Sequence, residues 1–314
     1  MIAVLTTWFT RTFGVDAPIL GAPMANRAGG ALAAAVTAGG GVGLIGVGHA
    51  QTPEFDARPA AVARATGPFG AGLMCWALDK NRATFDAVVA ERPDVMLLSF
   101  GDPAAYVLEA KAAGAVVGSQ VNTLDDLRIV EAAGVDFVIA QGSEAGGHTG
   151  HIATLSIAQQ VLDATQLPVL VAGGIATGRG VAAALAAGAA GVMVGTALLA
   201  SGEADAPDWV RERILGARAE DTLYTDLFDR AQGFDWPARW GGRLIRNEFA
   251  DTYADATNKK LRAVYDKTDP THASVYAGEA VELITELRPA ATVVATLAAD
   301  AERQLRSVAG LLGG

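Results

Sequence analysis

Residues 137–200 read FVIAQGSEAGGHTGHIATLSIAQQVLDATQLPVLVAGGIATGRGVAAALAAGAAGVMVGTALLA. Three short apolar runs stand out, Phe137–Gln141, Val169–Ala172 and Gly191–Val194, separated by helix-like stretches at Ser156–Ala164 and Gly178–Ala187. Each run is β-rich and nearly continuous in its apolarity, the pattern of a strand buried on both faces. Strands of this kind alternating with helices predict parallel pairing through crossover connections.

The same rhythm extends toward the N-terminus. Five more runs, Ile19–Ala22, Val42–Ile45, Phe69–Leu73, Val95–Ser99 and Val116–Gln120, alternate with helices expected over Gly30–Ala38, Arg58–Ala65, Asn81–Glu91, Pro103–Ala113 and Leu124–Ala133. Gly114, Gly134 and Gly188 follow Ala-rich helix ends, where a left-handed cap favours glycine. Thr123, three residues before Asp126, has the spacing of a helix N-cap. Eight units predict an α/β fold, a (β/α)8 TIM barrel, with an open doubly wound sheet as the alternative.

Beyond Gly202 the texture changes. Trp209, Trp236, Trp240, Tyr224, Tyr253 and Tyr265 lie among dense charge. Helices are expected at Asp208–Leu215, Thr222–Arg230 and Arg243–Tyr265. This predicts a small helical insertion after the eighth strand, spanning 207–272, with 1–206 and 273–314 forming the barrel. Ala277–Glu286 and a final helix at Ala290–Leu311 return the chain to it.

Composition narrows the function. The 314 residues are 51% apolar, and 24 Lys and Arg against 34 Asp and Glu give a net charge of −10. That excludes a disordered chain and argues against nucleic acid as a partner, which needs a basic footprint. One cysteine, Cys75, rules out an intramolecular disulfide framework and fits a reducing compartment. No secretory signature marks Met1–Thr7, so a cytoplasmic location is expected. The uncharged stretches Ala28–Ala50 and Gly180–Ser201 are broken by glycines and read as helix–turn–strand units rather than membrane spans. A homodimer is the expected assembly.

A barrel of this type works at the C-terminal ends of its strands. The first strand ends in Gly21-Ala22-Pro23-Met24, small residues that would admit a flat ligand. The sixth leads into Gly146-Gly147-His148, an imidazole on a glycine-rich loop, which core packing explains poorly. The seventh ends in Gly173-Gly174 and the eighth in Gly195-Thr196. Glycines at these two ends form a cradle whose backbone N–H groups bind a phosphate without lysine. Glu144, His148 and His151 match no metal-ligand spacing, so no metal is expected. His151 reads as a partner of the site or a solvated residue, His49 as a residue near the barrel mouth, and His272 as structural. Cys75 reads as a small buried residue rather than a nucleophile.

These elements resemble the nitronate monooxygenase family, formerly called 2-nitropropane dioxygenases. The likeness rests on Gly21-Ala22-Pro23-Met24, Gly39-Gly40-Gly41-Val42-Gly43, Gln141 through His148, Ala172-Gly173-Gly174-Ile175 and Gly195-Thr196. It implies non-covalent FMN, with the phosphate at Gly173, Gly174, Gly195 and Thr196 and the ring over Ala22, Pro23 and Met24. Gln120, Gln141, Gly146 and Gly147 would complete the cofactor contacts, and His148 would be the catalytic residue. The implied reaction is oxidation of alkyl nitronates or nitroalkanes by O2. A flavin reductase of the enoyl-acyl-carrier type using NAD(P)H is the first alternative, and a ligand-binding barrel without catalysis the second. A reading akin to IMP dehydrogenase lacks the cysteine it needs after strand six. Two departures stand out: Gly72 where many members carry Asn, and Glu279 where Gln is expected. A carboxylate at 279, near a flavin and an anionic substrate, would be unfavourable.

Overall fold

A computed structural model describes residues 5–48 and 57–310. Its barrel strands are β1 (Ile19–Gly21), β2 (Gly43–Gly46), β3 (Phe69–Met74), β4 (Val95–Ser99), β5 (Val116–Val121), β6 (Phe137–Gln141), β7 (Val169–Ala172) and β8 (Gly191–Val194). All neighbours are parallel, in the order β1-β8-β7-β6-β5-β4-β3-β2. A bridge between Leu20 and Val42 joins the two ends, and Gly21 N–H donates to the Val42 carbonyl at 2.9 Å. The sheet therefore closes on itself, which removes the open-sheet alternative.

The barrel interior is filled by Leu20, Leu44, Leu97, Phe137, Ile139, Leu170 and neighbours, all buried. A helix that the sequence reading did not anticipate, Trp8–Phe13, plugs the end where the strands begin. Thr7 and Thr10 cap its start reciprocally, Phe9 is fully buried, and Trp8 lies 5.6 Å from the Phe137 ring. A β-carbon on Gly118 would come within 2.3 Å of that ring, so glycine is what lets Phe137 fill the centre. Outside, small residues let helices approach closely. The last helix, Ala290–Ala309, runs against Gly178–Ala186, where a β-carbon on Gly178 would stand 2.2 Å from that of Asp300. Its expected end at Leu311, like His49, lies outside the described residues. No described helix is long and apolar enough to cross a membrane.

Between 207 and 272 the expected helix at Asp208–Leu215 is present as Asp208–Gly216, but the other two expected helices are corrected. Thr222–Thr225 and Gly241–Ile245 are strands, and within the stretches expected as helices at Thr222–Arg230 and Arg243–Tyr265 the helices are Leu227–Gln232, Glu248–Tyr253 and Asn258–Val264. The two strands pair antiparallel, and Gly241–Ile245 pairs in turn with Gly147–Thr149, in the register Gly242↔His148. The loop after β6 is thus an edge strand, held by chain almost a hundred residues away in sequence. Runs of four or five residues carry no periodicity that separates strand from helix, and here long-range pairing decides. Leu227, Phe228, Leu244, Phe249 and Leu261 form a small core of their own. The Asp208–Gly216 helix instead packs Val210 and Ile214 onto the barrel's outer layer.

Candidate active site

The strand ends after β1, β3 and β8 meet as a flat wall of small residues. A β-carbon at Gly72 would stand 2.4 Å from two carbons of the Pro23 ring, and one at Gly195 would stand 3.3 Å from the Ala22 β-carbon and 3.7 Å from Met24 Sδ. The Pro23 ring therefore occupies the space that any side chain at 72 would need. Gly72 has a local packing cause, and Ala22 and Met24 lie beside Gly195.

The second wall is the glycine cradle. Gly173 and Gly174 have φ of 109° and 69°, where side chains are strained. Among the described residues, the Gly174 and Thr196 N–H groups meet no acceptor. The Thr154 hydroxyl, buried and without a hydrogen-bond partner, would lie 2.6 Å from a β-carbon on Gly173. Unpaired donors, an orphaned hydroxyl and two glycines fit a phosphate group. Glu144 also borders this cradle. One of its oxygens accepts the Thr154 N–H at 2.9 Å and the other lies against Gly174, 2.2 Å from where a β-carbon would be. The Thr196 hydroxyl is tied back, accepting from Gly278 N–H at 3.1 Å.

His148 occupies the edge strand facing the insertion. Its Nε2 lies 2.9 Å from Asp229 Oδ2, and the two side chains are only 11% and 6% exposed. Trp236 stacks flat on the imidazole, with centroids 3.5 Å apart and planes 6° apart. Trp76 and Phe100 pack on Trp236 at 5.0 and 5.1 Å, and Phe100 also meets Trp240 at 5.4 Å. Phe100 takes φ of 60°, a costly conformation for an aromatic residue, at the end of β4 where its ring meets both insertion tryptophans. Tyr276 lies 5.6 Å from His148. Burial, reinforced by the charge of Asp229, pushes its hydroxyl well above the ordinary tyrosine range, so it remains protonated.

The remaining expected residues divide. Gln141 is buried, and its Oε1 accepts from Asn122 Nδ2 at 3.0 Å, while Trp240 Nε1 donates to Asn122 Oδ1 at 3.1 Å. Gln120 is half-buried on β5, its N–H bonded to Ser99 Oγ. Gly146 and Gly147 have structural causes: a β-carbon at 146 would strike Gly278 N at 2.6 Å, and Gly147 turns with φ of 78°. The expected unfavourable charge at Glu279 is corrected, because Arg243 pairs with it at 3.0 Å and also bonds the Ser143 carbonyl and the Thr222 hydroxyl. His151 is exposed and lies against Tyr224 at 4.8 Å. His272 packs on Phe249 at 5.3 Å. Burial raises the Cys75 thiol above its usual range, which removes it as a nucleophile. Among the described residues no group of three or more His, Cys, Asp or Glu is placed to hold a metal.

Sequence reasoning missed Asp229, Trp236, Trp76 and Phe100. The aromatic density of 207–272 was the available signal for Trp236. Asp229 carried none, being one carboxylate among many in a charged segment.

Comparison with known proteins yields a consistent set. Residues 79–300 match the family model for nitronate monooxygenase. A probable nitronate monooxygenase of Staphylococcus haemolyticus is 30% identical over 290 residues, covering 77% of this chain and 79% of the relative. A (3aS,4S,5R,7aS)-5-hydroxy-7a-methyl-1-oxo-octahydro-1H-indene-4-carboxyl-CoA dehydrogenase of Rhodococcus jostii is 35% identical over 229 residues, 73% of this chain but only 65% of the relative's length. Among solved structures, FabK from Thermotoga maritima superposes with a TM-score of 0.85 at 30% identity, covering 98% of this chain and all of that one. Nitroalkane oxidase from Streptomyces ansochromogenes follows at 0.80 and 28%, covering 95% and 99%.

Proposed function

We propose, from the premise that this chain belongs to the nitronate monooxygenase family of oxidoreductases, that it is an FMN-dependent enzyme oxidising alkyl nitronates, and the nitroalkanes that give rise to them, with O2. The observation that carries the reading is His148, shielded under Trp236 and bonded to Asp229, at the same barrel mouth as the glycine cradle. Bound flavin supplies the redox chemistry, taking electrons from the substrate and passing them to O2. The protein's part is to bind, orient and exclude water. Gly173, Gly174, Gly195 and Thr196 would hold the phosphate, and Ala22, Pro23 and Met24 would carry the ring. His148 would remove the α-proton of a neutral nitroalkane, or hydrogen-bond the oxygens of a preformed nitronate. The aromatic cover of Trp76, Phe100 and Trp236 suits an alkyl chain. Residues 207–272 act in this reading as the lid of a barrel made of 1–206 and 273–314.

A second reading has a specific support. The 35% identical relative is named a dehydrogenase of a CoA ester, and a proton α to a thioester needs the same base. An anaerobic experiment separates the readings: the flavin should bleach with an alkyl nitronate. Bleaching only with an acyl-CoA would replace the proposal with the dehydrogenase, and rapid bleaching with NADPH would replace it with a reductase.

Two outcomes test the cofactor. Ligand released by heat should have the mass of FMN; FAD, or no flavin after reconstitution, would overturn the assignment. Gly195→Val is the cleaner probe of the cradle, because Gly195 has a φ of −118° that valine accepts, whereas Gly174 is strained for any side chain. The valine should press on Ala22 and Met24 and lower flavin affinity at least about tenfold. Unchanged affinity would place the cofactor elsewhere.

A further inference from the structure

We propose that Asp229, supplied by the insertion, is the positioning residue that makes His148 a base through Nδ1; this deepens the reading of His148 given above and rests on it. The argument begins with the chemistry of the contact. An ionised carboxylate can only accept hydrogen bonds, so at 2.9 Å the proton between the groups belongs to Nε2. In the neutral imidazole the lone pair is then on Nδ1. Without Asp229 either tautomer is open, and half the choice is unproductive.

The surroundings fix the ring as well as its proton. Trp236 covers one face, and the edge strand Gly147–Thr149 is clamped by Gly241–Ile245. Asp229 lies on the Leu227–Gln232 helix, whose neighbours Leu227 and Phe228 are buried in the insertion's own core. The carboxylate is therefore anchored independently of the barrel. Its second oxygen, Oδ1, is buried and bonds to nothing, so the imidazole is the one hydrogen-bond partner of its side chain among the described residues. When Nδ1 takes the α-proton, the C–H electron pair stays with the substrate as its anion and the ring becomes an imidazolium. That cation forms against a carboxylate already desolvated and in contact, so little reorganisation is needed. Docking of the insertion onto the barrel thus assembles the base as well as covering it.

The test uses Asp229→Asn, close to isosteric. The Asn amide donates to Nε2 and should push the proton to Nδ1, the unproductive tautomer. With a neutral nitroalkane kcat/KM should fall at least about 100-fold, and with its preformed nitronate less than about threefold. The ¹⁵N shifts of the His148 ring, read on flavin-free protein, should move from the Nε2–H to the Nδ1–H pattern. A wild-type ring already protonated at Nδ1 alone would overturn the proposal without any variant. So would equal losses on both substrates with an unchanged ring. If neither substrate is oxidised by the wild type yet the tautomer switches as expected, the nitronate reading falls and the positioning role stands.

Discussion

Replacing His148 with asparagine is expected to cut kcat/KM on a neutral nitroalkane by about 10²–10⁴-fold, the usual worth of general-base assistance. A preformed nitronate has already lost the proton in question, and asparagine can still donate a hydrogen bond, so its loss should be far smaller. The contrast is sharpened by the structure. An asparagine amide takes the place of Nδ1 and stops short of Asp229, which is buried and bonded to Nε2, so His148→Gln, whose amide reaches the Nε2 position, is the control that keeps Asp229 paired. A loss on the neutral form shared by both variants reports lost proton transfer rather than a collapsed site. Each ratio converts to a difference in transition-state free energy. Equal losses would make His148 an anchor for the anion only, and no loss with either form would remove it from the active site.

Phe137→Ala is expected to destabilise the fold by about 3–5 kcal/mol, the range for deleting a fully buried aromatic ring. Phe137 is 0% exposed, at the start of β6 in the barrel interior, and its ring lies over Gly118 on one side and near Trp8 on another. Glycine has no side chain with which to refill the space, and closed strands cannot move inward without breaking the ring of hydrogen bonds, so the cavity should persist. Urea unfolding of flavin-free protein would measure the loss. A change under about 1.5 kcal/mol would mean that the Trp8–Phe13 helix shifts to fill the gap, and that the plug is more loosely seated than the packing implies. Because Phe137 is at the end of the barrel opposite the mouth, the variant that remains folded should keep its flavin affinity.

The two expected losses come from parts of the chain that differ in how far the sequence reveals them. The eight strands are legible because each is an unbroken apolar run between helices, and burial on both faces demands that composition whatever the rest of the chain does. The glycines after β7 and β8 are legible for a similar reason, since left-handed backbone and close approach exclude other residues. His148 is legible because an imidazole on a glycine-rich strand end has little structural excuse.

The sequence could not say what would meet these residues from a distance. The helix Trp8–Phe13 became a plug because the barrel closed around Phe137, and a short aromatic segment gives no sign of that by itself. Thr222–Thr225 and Gly241–Ile245 became strands because an edge was waiting at Gly147–Thr149. Gly72 and Glu279 looked like departures until Pro23 was found over the one and Arg243 against the other. Asp229 is the extreme case, 81 residues from His148 and unmarked by any local pattern. Backbone conformation and burial are imposed on each residue by its own neighbourhood, so they leave a local imprint. Partnership between distant side chains is imposed by the folded geometry alone, and for this protein that geometry decided which carboxylate faces the histidine.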